Sequence, residues 1–258
     1  NLVLENVYNQ EPLSYDEIME WCRSQAEFFK DYICDVGTLL GAAAGQGKNI
    51  LFEAQLGALR DIDYGIYPYT SSSSTIASYA PIGAGIPGCA LDNVVGVMKA
   101  YSTCVGEGPF VAETAMGEAW NEKLRESGGE FGAATGRPRR VGPFDAVASR
   151  YGIRCQKAQD IALTKLDVLG AFDKIPVITG YRLHGVLLDS FPTDSRLEEA
   201  EPVIEELPGW GCDISGCRSW KDLPENARKY VCTLEKLVDH PIYLVSTGAE
   251  RDAYLLRE

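Results

Sequence analysis

The sequence predicts an α/β fold, a mostly parallel sheet flanked by helices. Three short apolar runs carry that expectation: Asp160–Thr164, Ile178–Leu183 and Pro241–Val245, each closed by turn residues. Stretches with helical periodicity alternate with them, and strands that alternate with helices pair in parallel because the crossover returns each strand in the same direction. No internal repeat and no composition boundary interrupts the chain, so residues 1–258 read as a single α/β unit.

The elements follow in order. Ser14-Tyr15-Asp16-Glu17 forms a capping box, a hydroxyl with a carboxylate three residues on, and so opens a helix. Ile18, Trp21, Cys22, Phe28, Phe29, Ile33 and Val36 then approximate a 3.6 period, which predicts a helix over about Tyr15–Ala43 broken near Gly37. Gly41 to Asn49 invites a phosphate-loop reading, but Ala42 and Asn49 stand where that loop needs Gly and Ser or Thr. The segment also precedes an apolar run, Asn49–Glu53, whereas a phosphate loop follows its strand. It reads as a helix-to-strand turn, with a strand over 49–53. Residues 54–93 hold Asp61-Ile62-Asp63, the hydroxyl run Thr70–Thr75 and the Gly/Pro segment Pro81–Gly88. Such a stretch is either a surface linker or a loop that presents donors to a ligand. Tyr64, Tyr67, Tyr69 and Tyr79 favour the ordered loop. A helix is predicted over about Asn93–Tyr101, a tight turn over Thr103–Pro109, and a second helix over about Pro143–Tyr151. The acidic stretch Glu198–Glu206 reads as a solvated face.

Composition narrows the function. Of the 258 residues, 45% are hydrophobic and 24% charged, enough for one sizeable core or two small ones and unlike a disordered or collagenous chain. No apolar run reaches the ~18 residues of a membrane helix. The start, Asn1-Leu2-Val3-Leu4-Glu5, has no basic region or cleavage pattern, so no secretory signal is expected; lacking an initial Met, the chain is expected to be part of a longer one. The net charge of −13 repels polyphosphate, so neither nucleic acid nor an anionic membrane is expected as a partner. Eight cysteines without a Cys-x-x-Cys pair, and only His184 and His240, make a zinc site and His-based catalysis unexpected. Free thiols fit a reducing, cytoplasmic setting.

Against the acidic background stands one basic segment. Arg137, Arg139, Arg140, Arg150 and Arg154 share a stretch whose one acid is Asp145. Guanidinium forks bind carboxylate or phosphate at two points, and arginines crowded into the Gly/Pro loop Gly136–Arg140 repel one another until an anion arrives. Thr164-Lys165-Leu166-Asp167 follows an apolar strand, where ligands bind in open α/β sheets. One carboxylate can accept from guanine N1–H and from its exocyclic amine, a pair adenine does not offer, while a lysine stem lies along the purine face. The alternative is a helix-capping Asp beside a solvated Lys. Ser246-Thr247-Gly248 closes another strand, as a second wall of a nucleotide pocket or merely a turn.

In combination these segments resemble one family. Phe52-Glu53, Asp61-Ile62-Asp63, Tyr67-Pro68-Tyr69, Lys99–Thr103, Gly108-Pro109-Phe110, Glu130–Ala133, Thr135-Gly136-Arg137, Leu163–Leu169 and Val245–Gly248, in this order and spacing from about Ile50 to Asp252, are similar to adenylosuccinate synthetases. The resemblance implies a GTP-dependent carbon–nitrogen ligase of purine and AMP biosynthesis that joins IMP and L-aspartate as GTP becomes GDP and phosphate, with Mg²⁺, as a homodimer in the cytoplasm. It implies GTP contacts at Arg139, Lys165, Leu166, Asp167, Ser246, Thr247 and Gly248. The aspartate loop would be Ala133, Ala134, Thr135, Gly136, Arg137, Pro138 and Arg139. Gln55, Leu56, Ser71, Val105 and Arg137 would meet IMP.

The chain departs from the family pattern in three ways. Leu56 occupies the position of the family's Gln, with Gln55 one residue earlier as the candidate replacement. Ser71 and Ala134 each replace a Thr. The family's N-terminal portion, with its phosphate loop, catalytic base, His and Mg²⁺ ligands, has no counterpart in this sequence, so the chain is expected to be incomplete relative to the full family fold, to carry no metal site and to be inactive alone. The competing expectation is a non-catalytic or degenerate purine-nucleotide-binding module.

Overall fold

A computed structural model describes residues 1–257. Where one unit was expected, the chain gathers into two compact units: Asn1–Leu51 with Pro81–Cys89, and Phe52–Ala80 with Ala90 onward. In the first, α1 (Leu2–Asn6), α2 (Tyr15–Phe29) and α3 (Val36–Gly45) follow one another. Ser14 caps α2, its hydroxyl accepting the Glu17 N–H. The helix breaks earlier than Gly37. A 3₁₀ turn at Lys30–Tyr32 gives way to extended backbone, and Asp35 then opens α3 by accepting the N–H and hydroxyl of Thr38. Those bonds hold the Asp35 carboxyl below its ordinary range. The segment 46–48 is a turn, as expected, folding back on the Ala42, Ala43 and Ala44 carbonyls. The strand expected over 49–53 does not form, for no neighbouring strand pairs with it. The returning segment Pro81–Cys89 begins within a single helical turn, α4 (Ala80–Gly83).

The second unit is an α/β body. Its strands are β1 (Val95–Lys99), β2 (Ser102–Cys104), β3 (Arg140–Gly142), β4 (Phe144–Asp145), β5 (Asp160–Thr164), β6 (Lys174–Leu183), β7 (Val186–Leu187), β8 (Glu201–Pro208), β9 (Ile242–Ser246) and β10 (Tyr254–Leu256). Its helices are α5 (Val111–Thr114), α6 (Glu118–Gly128), α7 (Ala146–Gln156) and α8 (Glu225–Val238). The helix expected near Asn93 is β1 instead, because Val95 and Val97 suit a pleated strand and β5 offers it a parallel partner. The helix expected from Pro143 begins at Ala146, where the Asp145 carboxylate caps the N–H groups of Val147 and Ala148. The acidic stretch is largely solvated, and from Glu201 onward it forms a strand, β8, antiparallel to β6.

The sheets are mixed. One runs β1-β5-β9-β10, parallel through β9, with β10 antiparallel at its edge; in a second, β6 pairs parallel with β4 and antiparallel with β7 and β8; and β2 and β3 form a two-stranded antiparallel sheet. The antiparallel additions are what the expectation of a mostly parallel sheet left out. Ile161, Ala162 and Leu163 are all buried, as in a strand covered on both faces. Against Ile161, Leu163, Ile242 and Val245 packs α8 through Ala227, Tyr230, Val231, Leu234 and Val238, one apolar stripe at helical spacing. Each of the valine, leucine and isoleucine side chains contributes about 1.5–3 kcal/mol on burial. In register, Lys99 lies beside Thr164 and Leu163 beside Val245, so three parallel strands end along one edge.

Candidate functional site

That edge carries the site. Beyond β5, Lys165 takes a left-handed conformation (φ 61°) and so turns the chain sharply. Its ammonium donates to the Gly128 carbonyl at 2.6 Å, which ties down the head, and the side chain as a whole is 39% exposed. Leu166 is buried in the core, so only its backbone remains available to a ligand. Asp167 is half-buried. Burial raises its proton affinity, the charge of Asp213 adds to this, and Lys165 opposes it. Beyond β9, Ser246 donates to the Gly248 carbonyl at 2.9 Å, and the buried Thr247 donates to the Cys217 carbonyl at 3.3 Å. A side chain on Gly248 would come within 3.8 Å of Ser215 and 3.2 Å of Ala253. The segment Asp213–Cys217 therefore packs beside Ser246–Gly248. The sequence alone did not single it out, although Asp213 and Ser215 close an Asx turn that a reader could have marked.

The arginine loop is a short two-legged excursion between α6 and β3. Gly132 donates to the Arg137 carbonyl, Gly136 (φ 64°) to Gly132, and Arg139 to Glu130, with Phe131 bridged to Pro138. Ala133, Ala134, Thr135 and Gly136 form an exposed tip, and the Thr135 hydroxyl accepts the Arg137 N–H. The Arg137 guanidinium is exposed, with no ion pair or hydrogen bond among the described residues. The five-arginine cluster does not act together, because most of its members are already satisfied. Arg140 donates twice to Glu113, at 2.8 and 2.6 Å, and also to the Gly106 and Gly108 carbonyls. Arg150 donates to Leu237, and Arg154 lies over the Tyr151 ring.

Glu130 joins the two loops. Its side chain is fully buried, and its carboxylate accepts from Lys99 at 2.8 Å, Tyr101 at 2.6 Å and Arg139 at 2.9 Å, with Lys165 3.7 Å away. Burial alone would raise its proton affinity, but the Lys99, Tyr101 and Arg139 donors outweigh that and keep it below the ordinary carboxylate range. Burial and the adjoining Glu130 push the Tyr101 phenol upward, so it stays a donor.

A second node holds the other predicted contacts. Arg60 donates to the carbonyls of Tyr69, Val105 and Glu107 and to the Cys104 sulfur, while its own carbonyl accepts the Ser71 N–H at 2.7 Å. Ser71 and Val105 thus share one arginine, and the turn after Val105 is held by Arg140, which neighbours Arg139. Buried Asp61 keeps the loop around Ser71 ordered, accepting from the N–H groups of Asp63, Tyr64 and Thr75 and from the Ser74 hydroxyl. Gln55 and Leu56 are not drawn in: both are exposed, and Leu56 sits at φ 75°, a costly region for a branched residue.

Among the described residues, no three His, Cys, Asp or Glu side chains gather into a metal-binding group. No helix among them is long and apolar enough to cross a membrane.

A family model for adenylosuccinate synthetase matches residues 1–255. The chain belongs to the adenylosuccinate synthetase family. It is 48% identical to the adenylosuccinate synthetase of Trichlorobacter lovleyi and 45% identical to that of Pelobacter propionicus, over 99% of this chain and 59% of each relative. It superposes on a fully ligated adenylosuccinate synthetase from Plasmodium falciparum with a TM-score of 0.92 at 34% identity, covering 99% of this chain and 61% of that one. The chain thus spans about three fifths of the length of these synthetases.

Proposed function

We propose that the chain carries the guanine- and aspartate-binding half of an adenylosuccinate synthetase site, together with part of its IMP pocket. In that reaction GTP phosphorylates the 6-oxygen of IMP, and the amine of L-aspartate then displaces the phosphate, leaving adenylosuccinate, GDP and phosphate. Mg²⁺, a second subunit and a cytoplasmic setting belong to the same proposal and rest on family membership. The observation that carries it is the meeting of Arg139 and Lys165 at one buried carboxylate, Glu130. This puts a purine-reading turn and a diacid-receiving loop side by side.

The roles follow from the chemistry. Asp167 accepts from guanine N1–H and the exocyclic amine. Its partial burial makes that carboxylate costly to keep ionised without such donors, which favours a base that supplies them. The stem of Lys165 covers the purine face, and the backbone of Leu166 and the segment Ser246, Thr247 and Gly248 complete the base pocket. Arg137, with no internal partner, takes an aspartate carboxylate and reaches IMP; Arg139, anchored on Glu130, serves aspartate and GTP. Ala133, Ala134, Thr135, Gly136 and Pro138 shape the loop, and Ser71 and Val105, fixed by Arg60, line the IMP side. Gln55 and Leu56 would join them only after a local shift. Phosphoryl transfer is chiefly positioning and charge stabilisation, which guanidinium groups supply.

Titration calorimetry with GDP, ADP and XDP tests this directly. GDP is expected to bind at least tenfold more tightly than ADP, and Asp167→Asn to move the preference from GDP toward XDP, since an amide donates where xanthine has a carbonyl. Unchanged preference would remove Asp167 from the base pocket. The isolated 258-residue chain is expected to make no adenylosuccinate; measurable product would overturn its assignment as half a site.

A further inference from the structure

Glu130 occupies a place that the nucleotide and diacid contacts do not explain. No contact to either proposed ligand is assigned to it, yet it gathers groups from separate stretches of chain: Lys99 at the end of β1 and Tyr101 just beyond it donate, Arg139 in the arginine loop donates, and the ammonium of Lys165 in the purine-reading turn lies 3.7 Å away as an ion pair. The backbone around it does the same. The Glu130 carbonyl accepts the Arg139 N–H at 2.9 Å, and Gly128, two residues earlier, accepts the Lys165 ammonium.

The charge count explains what this arrangement does. Lys99, Arg139 and Lys165 bring three positive charges to one negative charge, in a chain whose net charge is −13. The three cations repel one another, and Lys99 holds its proton less tightly through burial and through the charges of Arg139 and Lys165. The buried carboxylate offsets part of that repulsion and fixes where the cations sit. The nearby carboxylate of Asp167 offsets a further part through Lys165, and the remainder is what an anionic ligand neutralises.

We propose that Glu130 is the positioning residue for both subsites at once, holding Arg139 for the diacid and Lys165 for the purine in one frame, so that its loss weakens both ligands together. The inference rests on the functional reading above for the identity of the ligands, but not for the juxtaposition itself.

The test uses the whole chain with Glu130→Gln, GDP and L-aspartate as calorimetric probes, and labelling of arginines with phenylglyoxal and of lysines with acetic anhydride, read by peptide mass spectrometry. Both affinities are expected to fall at least tenfold. Without ligand, Arg139 and Lys165 should label several-fold faster, whereas Lys174 and Arg196, paired with other carboxylates, should label as before. Loss of one ligand only, or unchanged labelling at Arg139 and Lys165, overturns the proposal. A general rise that includes Lys174 and Arg196 also overturns it, by showing that Glu130 merely supports the fold. Should Glu130→Gln fail to fold, Glu130→Asp keeps the charge with a shorter reach and is expected to give the same paired effects at smaller size. A wild-type chain that binds neither probe would refute the proposed function, while the labelling pattern would still decide the role of Glu130.

Discussion

A carboxylate withdrawn from water stays ionised only if donors replace its hydration, and two buried aspartates show both outcomes. Asp61 receives three backbone N–H groups and a hydroxyl, which outweigh burial and hold it below the ordinary range. Asp145 receives two N–H groups and the Tyr181 phenol, and burial pushes it up to about 6. The signs follow. A raised native value means that Asp145 contributes stability fully at low pH, below its unfolded value, and loses it as the pH rises through about 6. Asp61 acts the other way, contributing above its unfolded value and losing that as the pH falls. Asp145→Asn keeps an oxygen for the cap of α7 but cannot titrate. Relative to this variant, the wild type is expected to lose about 2 kcal/mol between pH ~4 and pH ~7 in denaturant titrations. A constant difference across that window would show that Asp145 is not the source. The two loop arginines separate in a similar way. Arg137→Ala removes an exposed, unpaired side chain and should leave stability within about 0.5 kcal/mol while weakening aspartate binding by about 1.5–3 kcal/mol. Arg139→Ala should weaken aspartate and also lower stability, because it takes a partner from buried Glu130. Aspartate affinity unchanged in both variants would remove the loop from the site. Arg137, Arg139, Lys165 and Asp167 could be singled out as candidates because each lies in a short local pattern. Glu130 and Arg60 were not, because their partners come together only through the fold.

At the scale of elements, local pattern sufficed where an element is covered on both faces or opened by a cap. The buried strand β5 and the capped start of α2 were legible on those grounds. It failed where a partner decides. Residues 93–101 and 49–53 are both short and apolar, but β1 has β5 beside it and the other segment has nothing. Helices α6 and α8 passed unread although α8 carries its stripe at Ala227, Tyr230, Val231, Leu234 and Val238 with Pro224 just ahead of it. The charged residues interleaved through that stretch hide a pattern that is plain once the buried face is known. That face predicts its own energetics. Leu234 is fully buried in the largest apolar cluster, so Leu234→Ala should cost about 2–5 kcal/mol in urea unfolding, with a spread set by how far the gap collapses. A cost under about 1 kcal/mol would mean that α8 is not packed on the sheet as described.

At the scale of the molecule, burial is unevenly shared. No residue between Asn1 and Leu51 is buried, whereas the largest core cluster runs from Ala100 to Leu255. Trp21 is 64% exposed, Phe28 67% and Ile33 73%. Helices gain most of their stability from packing an apolar face, and in water an isolated helix of ~12–15 residues is marginal. With 15 residues, α2 stands at that limit, and α3, with 10, falls below it. Both rest on their caps at Ser14 and Asp35 and on backbone bonds that water can reach. By contrast, β5 and α8 open only when the core itself opens. Hydrogen exchange read by mass spectrometry should therefore show the amides of α2 and α3 exchanging faster than those of β5 and α8 by roughly two orders of magnitude or more. Asp35→Ala, which removes the acceptor for both Thr38 donors, should speed exchange in α3 further and leave β5 unchanged. Equal protection across α2, α3, β5 and α8 would mean that the apolar side chains of the first fifty residues are covered in solution, and the account of where this chain keeps its stability would have to be rebuilt around them.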